Sequence, residues 1–201
     1  MLSRYRETLR LYTDPVGRVL IRLRLKPNHL TVCGLGASLL SAAAFTSGRP
    51  HVAGVLLAMA GLFDYFDGTL ARASGRVTPF GAFLDSVIDR YSDLVVLLSV
   101  VLLFAHASQW RAVAISMVAL VGSVMVSYTK ARAESIGVVC NVGLMERPER
   151  IICLVAGAVF GLLEPAMWAL ALLSNATAVH RIAVTRQATR SVDSSRSVRA
   201  P

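Results

Sequence analysis

The stretch FDYFDGTLAR, residues 63–72, sets Asp64, Asp67 and Arg72 at the end of an apolar run that begins at His51. An ionised side chain inside a bilayer is costly, so carboxylates at this place in a membrane helix demand a partner for their charge. Asp64 and Asp67 are three residues apart and share one helical face. After the short basic turn SGRVTP (74–79), Gly81, Asp85, Asp89 and Asp93 recur at steps of four and form a second stripe. So short a turn predicts that the two helices pack antiparallel, with their acidic faces meeting near the cytoplasmic end.

The rest of the chain supports the bilayer reading. Of 201 residues, 55% are hydrophobic, and the mean hydropathy is +0.59. Apolar spans are predicted at about 30–47, 51–73, 80–105 and 110–134. From Glu149 to Arg186 the apolar run is too long for one crossing, and LLEPAM (162–167) supplies a break at Glu164 and Pro165. Residues 14–26, DPVGRVLIRLRLK, alternate apolar and arginine faces and suit a helix lying in the interface. The expected fold class is therefore an all-α integral membrane protein, a six-transmembrane-helix bundle with an N-terminal interfacial amphipathic helix. Its expected parts are a cytoplasmic N-terminus (1–27), the transmembrane domain (28–186) and a disordered cytoplasmic tail (187–201).

With both termini inside, Arg72, Arg76, Lys130, Arg132, Arg147, Arg150 and the arginines from Arg181 onward fall on the cytoplasmic side, and only Arg49 and Arg111 fall outside. The net charge of +9 thus belongs to a membrane surface. Too few polar segments separate the apolar runs to build a nucleic-acid-binding domain. The first 26 residues are too rich in arginine for a secretory signal peptide. Cys33, Cys140 and Cys153 have no metal or redox spacing and read as small apolar fillers.

Clustered carboxylates in a low dielectric require a positive charge between them. Hard oxygen donors favour Mg²⁺ or Mn²⁺, and two ions shared by Asp64, Asp67, Asp85 and Asp89 would form a clamp suited to phosphoryl transfer. Two other readings stand beside this one: structural pairing with Arg72 or Arg90, and a divalent-cation transport path. A path would spread acidic residues across the bilayer, whereas these gather near one end, which favours an active site. Asp93 continues the stripe and reads as a structural partner for a nearby cation.

The run Asp64-x2-Asp67-Gly68-x2-Ala71-Arg72-x8-Gly81-x3-Asp85-x3-Asp89 fixes eight positions within 26 residues. It resembles the signature of the CDP-alcohol phosphatidyltransferase family, integral membrane enzymes with six transmembrane helices, an interfacial helix and a dimeric assembly. The resemblance implies that the four aspartates surround the metals, that Asp89 is also the general base, and that Gly68, Ala71, Arg72 and Gly81 receive the cytidine diphosphate moiety. Pro27, Asn28 and Thr31 resemble the family's nucleotide-side segment before the first span; a plain helix cap explains them equally well. The implied reaction is attack of an acceptor hydroxyl on a CDP-lipid such as CDP-diacylglycerol, with CMP leaving.

The segment SYTKARAESIGVVCNVGLMERPER (127–150) gathers cations on the same side, which suits an acceptor that itself carries a phosphate. Arg132 and Arg147 read equally as phosphate ligands and as positive-inside anchors. SYTKARAE and ERPER are similar to segments of the phosphatidylinositol-phosphate synthases of this family and of related archaeal enzymes. That similarity implies inositol 1-phosphate as acceptor and Lys130, Arg150 and Arg181 as its phosphate cradle. The loop GVVCNVG is more apolar than its counterpart in the actinobacterial enzymes. Phosphatidylglycerophosphate synthesis from glycerol 3-phosphate and an archaeal-type ether-lipid activity are the alternatives within the family.

Overall fold

A computed structural model describes residues 27–73 and 78–197. Six helices follow one another along these residues: α1 (Pro27–Thr46), α2 (Pro50–Ala73), α3 (Pro79–His106), α4 (Trp110–Ser135), α5 (Arg147–Val159) and α6 (Leu163–Ser197). The all-α, six-helix expectation holds, but the expected six crossings do not. Four helical segments are long and apolar enough to cross a membrane, His29–Thr46, Pro50–Leu70, Trp110–Ser135 and Leu163–Arg190. In α3 the charges of Asp85, Asp89, Arg90 and Asp93 interrupt the apolar length. In α5 there are 13 residues, about 20 Å of helix against a hydrocarbon core of about 30 Å. The interfacial helix expected at 14–26 lies outside the described residues. Where a structureless tail was expected from residue 187, the backbone stays helical to Ser197.

Sequence chemistry explains where the helices start and stop. Pro50, Pro79 and Pro148 each stand in the first turn of a helix, where a missing N–H costs nothing. Thr78 caps α3 by accepting a hydrogen bond from the Gly81 amide at 3.0 Å. Gly48, Gly137 and Gly161 take positive φ after α1, α4 and α5. The amides that follow them, on Arg49, Val138 and Leu162, reach back to the carbonyls of Ala44, Ala133 and Gly157, a Schellman closure that satisfies the last turn. α3 ends in the same way on a non-glycine residue, Ser108, with φ of 55°. The break between α5 and α6 therefore falls at Gly161, ahead of Glu164 and Pro165, which sit in the first turn of α6.

Each helix packs on two others and the six close into a ring: α1 on α2 and α3, α2 on α5, α5 on α6, α6 on α4, and α4 on α3. All six contribute to the core inside it, through Phe45, Leu57, Val100, Ala119, Leu154 and Met167. The two aspartate-bearing helices do not pack against each other directly; among the described residues α2 and α3 make no close backbone contact. Their carboxylates instead face one another across the interior at one end of the ring.

The loop after α4 is locked onto α6 by Arg181, which is 2% exposed. Its Nε donates to the Val142 carbonyl at 2.8 Å, Nη1 to the Val126 carbonyl at 2.7 Å and Nη2 to Glu146 Oε1 at 3.3 Å. Thr177 Oγ1 adds a bond from the Met145 amide at 3.3 Å. This clamp delivers Glu146 and Arg147 to the carboxylate end.

Two stability measurements check this description. Ser108→Gly should relieve the left-handed strain and stabilise the protein by about 1 kcal/mol, seen as a higher Tm in detergent; an unchanged Tm would remove the strain argument. Arg181→Lys cannot span three acceptors and should cost about 2 kcal/mol, so a wild-type melt would mean the clamp carries little.

Candidate active site

The site is organised around Arg147, the first residue of α5. Its Nη1 bonds Asp64 Oδ2 and lies 3.0 Å from Asp89 Oδ1, while its Nε is 3.4 Å from Asp93 Oδ1. One guanidinium thus ties the second half of α2 to the first half of α3. Arg150, one turn further along α5, donates from Nη2 to Asp93 Oδ2 at 2.6 Å and from Nη1 to the Met145 carbonyl at 3.2 Å. Burial works against the Arg147 charge, but Asp93, Asp89 and Asp64 outweigh it and raise the guanidinium above its ordinary pKa. The side chains of Asp64, Asp89 and Asp93 are only 17%, 15% and 14% exposed, so losing this cation would leave like charges buried together.

The remaining expected residues differ in where the fold puts them. Thr31 and Asp67 belong to the site: Asp67 is 5% exposed and accepts from Thr31 Oγ1 at 2.8 Å, so α1 carries a site contact as well as a helix start. Asp85 and Gly68 are partly exposed beside them. Arg90 pairs loosely with Asp89 at 3.7 Å and not with Asp93, whose partners are Arg147 and Arg150. Gly81 has a local explanation, because a Cβ there would come within 2.9 Å of the Thr78 hydroxyl that caps α3. The side chains of Asn28, Ala71 and Arg72 lie outside the described residues.

The three cations expected to hold a phosphate are not equivalent. Arg150 and Arg181 are buried and committed to Asp93 and to the loop backbone. Lys130 is partly exposed, and its Nζ lies 3.9 Å from Glu146 Oε1, the oxygen that also accepts from Arg181. Arg132 is exposed and bonds Ser135 in its own helix, away from this cluster. Gly34 was not singled out by sequence reasoning; a Cβ on it would sit 3.1 Å from Asp64 Oδ1, a tight approach to which the carboxylate would have to yield by a few tenths of an ångström.

Two spaces adjoin the cluster. A small cavity of about 30 Å³ lies beside Asp93 and Arg150, its walls mostly apolar and formed by Leu57, Val96, Leu154 and Leu170. A groove of about 820 Å³ runs between α2 and α5, with Asp64, Asp89 and Arg147 at one end and Val155, Val159 and Phe160 at the other. A polar head and an apolar chain on one ligand would match its two ends.

The donor set suits a hard divalent cation in kind: four carboxylates gathered where a positive charge is already accommodated. As they stand, no three acidic, histidine or cysteine side chains among the described residues are close enough together to hold an ion. Asp64 and Asp89 instead converge on one guanidinium nitrogen, Arg147 Nη1.

Comparison with known proteins agrees with this chemistry. Residues 24–185 match the CDP-alcohol phosphatidyltransferase family. The archaetidylinositol phosphate synthase of Pyrococcus horikoshii is 36% identical over 183 residues, covering 90% of this chain and 95% of that one. The phosphatidylinositol phosphate synthase of Mycobacterium tuberculosis, solved with CDP-DAG bound, superposes with a TM-score of 0.78 at 35% identity and covers 86% of this chain and 92% of that chain. The same enzyme solved with manganese and citrate gives a TM-score of 0.79, again at 35% identity, over 86% and 88% of the two chains. An aspartate cluster at one end of a helical ring, a matching polar-to-apolar groove and these similarities together place the chain in the CDP-alcohol phosphatidyltransferase family, as an integral membrane enzyme.

Proposed function

We propose that this membrane enzyme transfers the phosphatidyl group of CDP-diacylglycerol to inositol 1-phosphate, releasing CMP and forming phosphatidylinositol phosphate. The observation that carries this reading is the groove: Asp64 and Asp89 stand at its polar end, and its far end is lined by apolar side chains of α5. A CDP-lipid lies along it with its chains toward Val159 and its pyrophosphate at the carboxylates. Asp64, Asp67, Asp85 and Asp89 would hold Mg²⁺ or Mn²⁺, two ions on this reading, which supply neutralisation of the pyrophosphate charge.

The chain's own residues do the rest. Asp89 accepts the proton of the attacking hydroxyl, for which its position at the groove mouth is suited. Thr31 holds Asp67 in one orientation by its hydrogen bond. Arg72 and the small residues Gly68 and Ala71 receive the nucleotide diphosphate. Lys130 meets the acceptor phosphate together with Arg181 Nη2, at the place Glu146 Oε1 takes in the structure; Arg150 supports that wall through Asp93. The termini and the aspartate end face the cytoplasm, as the basic loops require. The outer faces, with Leu98 and Leu102 of α3 and Val118 and Val121 of α4 exposed, offer apolar surface to lipid and to the second copy of a homodimer.

The similarity to an archaetidylinositol phosphate synthase supports a second donor, a CDP-lipid with ether-linked chains, which the same groove would hold.

CMP release by purified protein with Mg²⁺ or Mn²⁺ tests the reading, using ester- and ether-linked CDP-lipids against inositol 1-phosphate, glycerol 3-phosphate, free inositol and serine. Turnover with inositol 1-phosphate is expected; preference for glycerol 3-phosphate would keep the chemistry and replace the acceptor. Asp89→Asn should lower kcat by about 10²-fold or more while sparing donor binding, and an unaltered kcat would remove it as base. Glu146→Gln should lower the KM for the phosphorylated acceptor severalfold and leave that of the donor alone. Equal shifts in both would count against Lys130 and Arg181 as phosphate ligands.

A further inference from the structure

We propose that Arg147 is an internal competitor for the metal: without a divalent ion its guanidinium occupies the cation position between Asp64 and Asp89, and metal binding must displace it. The inference rests on the metal-dependent reading above and concerns a residue that the family signature does not contain.

Four observations carry it. The guanidinium touches Asp64 and Asp89, two of the four carboxylates expected to bind the ion and the two that bring α2 and α3 together. Those helices have no close backbone contact of their own, so the charge contact substitutes for packing. Asp64 Oδ2 and Asp89 Oδ1 converge on the same guanidinium nitrogen, Nη1, so one point of positive charge stands between them where an ion would stand, and no three acidic side chains among the described residues are close enough together to hold an ion beside it. Finally, Arg147 has somewhere to remain when displaced. Its Nε is anchored on Asp93, outside the four, and Asp93 is fixed from its other side by Arg150. Asp93 is thus a positioning residue that keeps Arg147 within reach of the cluster whether or not an ion is present.

The physical logic is charge conservation in a low dielectric. Buried carboxylates without a counter-ion repel and would push the ring open at that end. A tethered arginine neutralises them between metal-binding events, and the apparent affinity for metal falls by the fraction of time the position is free.

Mn²⁺ titration of the full chain in detergent, with free Mn²⁺ followed by electron paramagnetic resonance and neither substrate present, tests this directly. Arg147→Met removes the charge and should tighten Mn²⁺ binding about tenfold, while lowering the Tm of the metal-free protein and enlarging the rise in Tm on adding Mn²⁺. Arg147→Lys retains a smaller, single-point cation that protects folding, and its Mn²⁺ affinity should fall between the two. A merely structural arginine would lower the Tm without improving metal binding. Mn²⁺ affinity equal to or weaker than wild type in the Lys variant, and in the Met variant if it folds, would overturn the proposal while leaving the metal site intact. Failure of the wild type and of both variants to bind Mn²⁺ would overturn the metal reading and this inference with it.

Discussion

Like charges buried near one another must be balanced, and in this protein that requirement shapes the whole carboxylate end. Asp64 and Asp89 come from helices separated by α1, and the bond that joins them is ionic. For Arg147 to reach them, α5 has to begin at the right depth. That start is set by the Arg181 clamp on the preceding loop and by Pro148 in the first turn. The apolar core of the ring holds the helices together, but it does not position the carboxylates; the chain of contacts from α6 through the loop to Arg147 does.

Much of this was legible in the sequence because it has a period. The aspartates recur at helical steps, the prolines mark helix starts, and Gly48 and Gly137 follow helix ends. The place of Asp93 as partner of a cation was readable from its position one turn beyond the signature. Arg147 was visible as a charge on the right side, yet sequence alone balanced it between lipid anchor and phosphate ligand. A count of buried carboxylates against nearby cations was the signal that could have moved it to the centre. Gly34 left no such trace, since its importance lies in a contact across helices with Asp64.

The expectations that failed did so for identifiable reasons. Counting apolar segments treated α3 and α5 as crossings, but the first carries four charged residues between Asp85 and Asp93 and the second stops short of Gly161. Reading a short turn as tight pairing of α2 and α3 overlooked α1, which packs on both. Arg181 carried the right charge on the right side, while its three hydrogen bonds to the loop could only be seen in space.

The shortness of α5 has a further consequence. A wall only about 20 Å tall flanks the groove that reaches Phe160, and on the proposed reading the groove opens sideways at the level of the acyl chains. On the proposed reading, both donor and lipid product exchange through it by lateral diffusion in the leaflet, their acyl chains never leaving the hydrocarbon. Only CMP and the polar acceptor need pass through water, so the two substrates approach along perpendicular routes and need not wait for one another to clear the way.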